Sequence, residues 1–486
     1  MKSNHIAKDL ICVKRPNILF AIADDASHMS AYGHSFVKTP NFDWVAKNGV
    51  LFNCAFTTNP KCSPSRASIL AGMHTWQMEE ACDHYGVFPS KFKVFPDLLE
   101  DAGYHVGFTG KGWGPGDYIS GGFKRNPAGN EYNEKKLIPP EGTSICDIDY
   151  SGNFKDFLKD RKNNAPFCFW YGAREPHRQY TDGEGIRYGK TLNDVSVPPY
   201  LPQSDVVKSD LLDYANEIDW FDKQLGSIVS TLRECNELEN TIIVVTSDNG
   251  MPFPRVKGQM YESDLKLPLA ISWGKYGKQS IVCDELISFI DFAPTFLEAA
   301  GLEKDIQMCG NSLLNIIRGE KDIERNRVFM GRERHDVGRE NDAGYPVRCI
   351  RTKEYLYIHN FCPDRWPSGN PETGFTDVDS SPTKKYILNQ QELANSRYFN
   401  LIFAKRGLCE LYDIVNDSYC LKNLADQPEY KEIRNSLFKE LKEYLIETND
   451  PRIVGDGNTF DNYLYVGNSN HSWKDYIQGT FIKQNY

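Results

Sequence analysis

Five apolar stretches divide the first two thirds of the chain, at residues 16–23, 50–52, 104–109, 166–171 and 241–246. Their near-continuous hydrophobicity reads as strands buried on both faces, the signature of a parallel sheet. Helical patterns fall between and after them. Residues 39–49 have Thr39 as cap, Pro40 at the first position and Gly49 past the end, while 95–103 and 289–301 each close on a glycine. Over 209–234, Leu211, Tyr214, Ile218, Phe221, Leu225, Ile228 and Leu232 recur in steps of three and four, an amphipathic stripe that packs on a sheet. Strand and helix in alternation predict an α/β fold: a large α/β/α sandwich around a mostly parallel sheet.

Beyond Tyr345 the order changes. Short strands are expected at 347–350, 355–358 and 410–413, then a helix over about 429–447, with a Pro-, Ser-, Gly- and Asp-rich surface loop at 360–390. This predicts a smaller C-terminal α+β domain with an antiparallel sheet. The expected division is 1–344 for the large domain and 345–486 for the small one.

In open α/β sheets, ligands collect beyond the carboxyl ends of the strands. The first strand ends in Asp24-Asp25 and the strand 241–246 runs into Asp248-Asn249. Oxygen donors from two strand ends suit a hard cation, Ca²⁺ or Mg²⁺; Asp24 and Asp25 by themselves read equally well as a solvated loop or cap. The strand 104–109 delivers Lys111 to the same edge, and 166–171 delivers His177 between Arg174 and Arg178. Both arginines suit anionic groups on a substrate, Arg178 above all. Further on, Arg332 to Asp336 come after an expected strand at 328–331, and their side chains, His335 and Asp336 among them, either reach a sugar or simply line a loop.

Composition narrows the partners. A net charge of -10 argues against nucleic acid, so an anionic substrate needs a locally basic pocket. No apolar run approaches the roughly 18 residues of a membrane span, and the first residues contain no apolar core of a secretory leader. The 13 cysteines form no CxxC pair. Cys409 and Cys420 flank a strand and turn and are candidates to pair.

The stretch 59–72 carries the most specific signal. Ser63 suits a helix cap, Pro64 the first helical position and Gly72 the left-handed residue that ends the helix. Cys62 then lies at a helix N-terminus, where unpaired N–H groups favour an anion. It is either a low-pKa nucleophile or a side chain presented for chemical conversion; the bland reading is one more buried thiol.

Cys62-Ser63-Pro64-Ser65-Arg66 with a glycine six residues on resembles the signature of the sulfatase family. The resemblance implies that Cys62 is oxidised to formylglycine by a formylglycine-generating or anaerobic sulfatase-maturating enzyme. One oxygen of the hydrated aldehyde would attack sulfur and the other expel sulfate. It further implies metal ligation by Asp24, Asp25, Asp248 and Asn249, sulfate contacts from Lys111 and Lys257, and active-site roles for Arg66 and His177. Residues 174–178, 197–200, 247–254 and 345–348 resemble the branch that removes N-sulfate from glucosamine in heparan fragments. Relatives are lysosomal, secreted or periplasmic, which implies a periplasmic or secreted location. In one place the chain departs from the family: two residues after Lys111, where a His is usual, stands Trp113.

Three other readings stay open at this point. An O-sulfatase would use the same machinery. A phosphatase or phosphodiesterase of the same superfold would want a two-metal cluster with more His than this chain offers. A silent sulfated-glycan-binding protein would keep Cys62 as a thiol.

Overall fold

A computed structural model describes residues 15–389 and 397–482. The leader reading falls almost wholly on 1–14, outside the described residues, as does residue 390 of the expected loop. Nine strands form the large sheet: β1 Asn17–Ala23, β2 Gly49–Phe56, β3 His105–Gly110, β4 Asn130–Glu131, β5 Phe167–Gly172, β6 Thr241–Ser247, β7 Lys266–Ser272, β8 Ile281–Cys283 and β9 Ile287–Ser288. Their order is β4-β3-β5-β1-β6-β7-β2-β8, with β9 also on β2. All pairs are parallel except the two made by β7. The carboxyl ends of β1, β2, β3, β5 and β6 therefore share one edge.

Alternation along β1 explains why these strands need no polar face. Ile18, Phe20 and Ile22 pack on one side with Phe292 and Phe296, from the helix Phe292–Ala299, and with Ile69 and Leu70 of the helix Cys62–Ala71. Leu19 and Ala21 face the other way, against the helix Asp205–Glu234 through Leu211, Ile218, Phe221 and Leu225. The result is the expected α/β/α sandwich, each layer sealed by about 1.5–3 kcal/mol per fully buried large apolar side chain.

The second sheet is antiparallel, in the order β10 Arg327–Arg332, β11 Val347–Thr352, β12 Tyr355–Asn360 and β13 Cys409–Asp413. The helix Lys431–Glu447 covers it with Leu437, Leu441 and Leu445. Because β10 pairs with β11, this sheet begins on the N-terminal side of residue 345.

Two expectations are corrected here. The stretch 360–390 is no surface loop: Ser368, Thr373, Phe375, Asp377 and Val378 are buried, and the chain then enters the helix Pro382–Asn389. Its polar residues look solvated in sequence but satisfy one another and the arginines beneath them. Asp377 accepts from Arg332 and Arg339, and Thr373 and Thr376 donate to the carbonyls of Gly338 and Val337. Every cysteine among the described residues is a free thiol, Cys409 and Cys420 included. No helix of the described residues is long and apolar enough to cross a membrane.

Candidate active site

The helix Cys62–Ala71 begins two residues earlier than its sequence suggests. Lys61 is its extended N-cap and Cys62 its first residue, while Gly72 ends it at φ 63° with its N–H on Ser68 O. Pro64 still lies within the first turn, where a missing N–H costs no hydrogen bond. The helix is tied to neighbouring strand ends at three points. Ser65 Oγ donates to Asp248 O at 2.6 Å, Trp113 Nε1 donates to Ser63 O at 3.0 Å, and Arg66 Nη1 donates to Lys111 O at 2.7 Å. Trp113, which stands where the family has a His, thus anchors the Cys62 turn.

Gly110 makes the delivery of Lys111 feasible. It sits at φ 77°, and a Cβ there would lie 2.0 Å from Gly172 O. Lys111 then turns its Nζ to Asp24 Oδ2 at 2.6 Å. The other carboxylate oxygen, Oδ1, accepts from Cys62 Sγ at 3.3 Å and lies 3.7 Å from Arg66 Nη2. Asp25, itself at φ 76°, receives Lys257 Nζ on Oδ2 at 2.6 Å and Asn249 Nδ2 on Oδ1 at 2.7 Å. Asp248 accepts Asp25 N–H at 3.1 Å and Arg66 Nε at 2.8 Å. His177 Nε2 is 4.0 Å from Asp25 Oδ2, and its Nδ1 bonds Arg178 O at 2.6 Å.

The structure thus brings together Cys62, Arg66, Lys111, His177, Lys257, Asp24, Asp25, Asp248 and Asn249. Ligand atoms of Asp24, Asp25 and Cys62 lie within 4.8 Å of one another. Asn249 Oδ1 is buried with no hydrogen-bond partner among the described residues. An orphaned amide oxygen beside three carboxylates fits a hard divalent cation, which binds oxygen ligands.

Electrostatics decides what Cys62 can do. Burial, then the neighbouring Asp24 carboxylate, pushes the thiol up to about 12. It stays protonated at neutral pH and is a poor nucleophile as it stands. Burial alone would raise Asp24, but the Lys111 and Arg66 cations hold it well below the usual carboxylate range. Burial lifts Asp248 to about 7 despite Arg66. Burial and the Lys257 ammonium lower His177, leaving a neutral imidazole.

A cleft of about 600 Å³ opens over this cluster, lined by Asp24, Lys111, Trp113, Arg174, His177 and Glu217 among others. The substrate-binding expectations change in detail. Arg178 also borders the cleft, yet its guanidinium is committed: Nη1 and Nη2 reach Asp210 at 2.7 and 2.9 Å, and Nε donates to Pro252 O at 2.7 Å. Arg174 is the exposed arginine. His335 is fully buried, with Nε2 on Asn59 Oδ1 at 3.2 Å, so it supports the loop before Cys62 rather than a sugar. Asp336 is taken up by Tyr465 Oη at 2.9 Å and His471 Nε2 at 3.4 Å.

Arg178→Ala is accordingly expected to cost about 3–5 kcal/mol of stability, because it strands the buried Asp210 charge. Arg174→Ala should leave the melting temperature unchanged and raise KM on an anionic substrate; thermal melts and steady-state kinetics of both variants check this.

Two residues escape any sequence reading. Asp379 lies 3.0 Å from Lys257 Nζ and 3.9 Å from Lys61 Nζ, bridging the helix cap and the deeper lysine. Lys257 and Lys61 outweigh the effect of burial and hold Asp379 well below the usual carboxylate range.

A mostly parallel sheet whose carboxyl edge gathers acidic oxygen donors, lysines and a buried cysteine has the make-up of an anion-binding hydrolytic site, and the family match makes it that of a hydrolase of sulfuric esters or sulfamates. The chain belongs to the sulfatase family: the sulfatase family model matches residues 16–302, and the model for the C-terminal part of N-sulphoglucosamine sulphohydrolase matches 256–367. It is 28% identical over 478 residues to an ulvan-active sulfatase of Formosa agariphila, covering 91% of this chain and 77% of that protein. With human N-sulphoglucosamine sulphohydrolase it shares 27% over 500 residues, covering 93% of this chain and 95% of the other. A protein solved in complex with its substrate D-glucosamine-2-N,6-O-disulfate superimposes with a TM-score of 0.64 at 21% identity, over 90% of this chain and 99% of that one.

Proposed function

We propose that this chain removes sulfate from a sulfated glycan, the N-sulfate of glucosamine in heparin or heparan sulfate fragments, and works outside the cytoplasm in the periplasm or after secretion. The cluster of Asp24, Asp25, Asp248, Asn249 and Cys62 under a cleft bordered by Lys111 carries the hydrolytic part of this reading. The match of 256–367 to the sulphoglucosamine sulphohydrolase model, with the 27% identity to the human enzyme, supports the N-sulfate.

Asp24, Asp25, Asp248 and Asn249 would hold Ca²⁺, or Mg²⁺, whose charge supplies Lewis-acid stabilisation of the reacting oxygens. Formylglycine made from Cys62 by a maturation enzyme would supply the hydrated aldehyde that a thiol held up to about 12 cannot replace. The chain's own residues do the rest. Arg66 fixes Asp248 and the helix, so the ligand set is preorganised. Lys111 and Lys257 face the sulfuryl oxygens and stabilise charge shifting onto them in the transition state. His177 has Nδ1 tied to Arg178 O, which leaves Nε2 towards the site. An arriving sulfo group raises its proton affinity, as any nearby anion does, and equips it to protonate the departing nitrogen.

An O-sulfatase is the second reading, favoured by the 26% identity to an N-acetylglucosamine-6-O-sulfatase of Bacteroides thetaiotaomicron. Sulfate release from N-sulfoglucosamine and from glucosamine 6-O-sulfate, by protein matured in a competent host, separates the two. Faster turnover of the N-sulfate is expected; turnover of the ester alone would overturn the N-sulfate assignment.

A further inference from the structure

A second basic pocket lies away from the catalytic cleft and shares no lining residue with it. Its volume is about 420 Å³, and four cationic side chains, Arg255, Arg397, Lys405 and Arg406, line it against one carboxylate, Glu410. That is within the ~300–1,000 Å³ of small-molecule sites. In a chain of net charge -10 such an imbalance is local and specific.

One carboxylate offsets at most one of the four charges, and its oxygens are held in place by neutral donors. Glu410 already accepts from Tyr261 Oη at 3.0 Å, Tyr412 Oη at 2.7 Å and Asn360 Nδ2 at 3.1 Å. Arg255 is 2% exposed and donates through Nη1 and Nη2 only to the backbone carbonyls of Leu401 and Cys420. Arg406 likewise spends Nη1 and Nη2 on carbonyls of the helix Arg397–Phe403. The Nε–H groups of both are buried and have no partner among the described residues. Their guanidinium carbons lie 3.7 and 5.9 Å from the Tyr261 ring centroid, so the aromatic face holds both in one place. Carbonyls satisfy donors but supply no countercharge; among the described residues neither arginine has an ion pair, and a buried guanidinium such as that of Arg255 is costly unless an anion completes it.

We infer that this pocket is a second oxyanion site, binding a sulfate or sulfo group through Arg255, Arg406 and the exposed Arg397 and Lys405. The ligand chemistry is a tetrahedral, multiply charged oxyanion, which charge-assisted guanidinium donors recognise well. Its source is either free sulfate, the product of the reaction, or a sulfated saccharide. The inference does not depend on which linkage the catalytic cleft cleaves.

Calorimetric titration of the full chain carrying Cys62→Ala tests it, with a sulfated heparin disaccharide, its unsulfated counterpart and inorganic sulfate as probes. The disaccharide is expected to fill two sites. In the Arg397→Ala/Lys405→Ala variant, whose changes are on exposed side chains, one site should weaken by about tenfold or more with melting temperature unchanged. Arg406→Gln should weaken the same site. Displacement by inorganic sulfate assigns the site to the free ion, and retention of the disaccharide against it assigns the site to a sulfated saccharide. A single site in the parent, an isotherm unaltered by both sets of changes, or equal binding of the unsulfated disaccharide would overturn the inference. Loss of the cleft site alone would instead count against the catalytic reading and leave this one standing.

Discussion

Arg66→Ala is expected to lower kcat by about 10²-fold or more, the scale seen when one preorganised charge-stabilising donor is removed. The side chain is fully buried and serves three elements at once, with Nε on Asp248 and Nη1 on the carbonyls of Lys111 and Gly112. Truncation leaves Asp248 without its hydrogen-bonded cation and removes the Arg66 tie between the helix of Cys62 and the end of β3, leaving that of Trp113. Breaking a buried ion pair by deleting one partner costs about 3–5 kcal/mol, so a lower melting temperature accompanies the kinetic loss. Arg66→Lys separates the two effects: one ammonium can face Asp248 but cannot also bind both carbonyls. It should recover part of the stability and little of the turnover. Near-normal kcat in a folded Arg66→Ala protein would remove Arg66 from the catalytic set.

Cys62→Ala is expected to abolish turnover while the fold persists. Loss of one buried sulfur costs on the order of 1 kcal/mol, small beside the stability of a two-sheet protein. Cys62→Ser is equally informative: a hydroxyl beside Asp24 would attack once but lacks the second oxygen needed to release sulfate, so at most a single turnover is expected. Peptide mass spectrometry should find the aldehyde at residue 62 in active protein and nowhere in inactive preparations. Steady activity in a preparation whose residue 62 is wholly thiol would refute the formylglycine mechanism.

The frame of this protein was legible because strands buried on both faces leave continuous apolar runs, and in a parallel sheet the residues just past each run gather at one edge. That rule put Asp24, Lys111, His177 and Asp248 at one edge, and the family resemblance gave them their roles. Side-chain commitment was not legible. Arg178 looked available because its partner, Asp210, sits on a helix whose stripe conveys packing and nothing of its polar flank. His335 looked open to a sugar, and the stretch 360–390 looked solvated, because polar composition does not reveal mutual satisfaction beneath a surface. Asp379 stands more than a hundred positions from Lys257, and no periodicity links a loop carboxylate to so distant a cation.

The bridge from Asp379 to Lys257 and Lys61 has a practical consequence. The charge network around Lys257 is assembled from both halves of the chain, so a catalytic module cut near residue 345 would keep Asp25 but lose the second of the two carboxylates that hold its deep lysine. Transplanting the cleft into another scaffold would require carrying the strap around Asp377 and Asp379 with it.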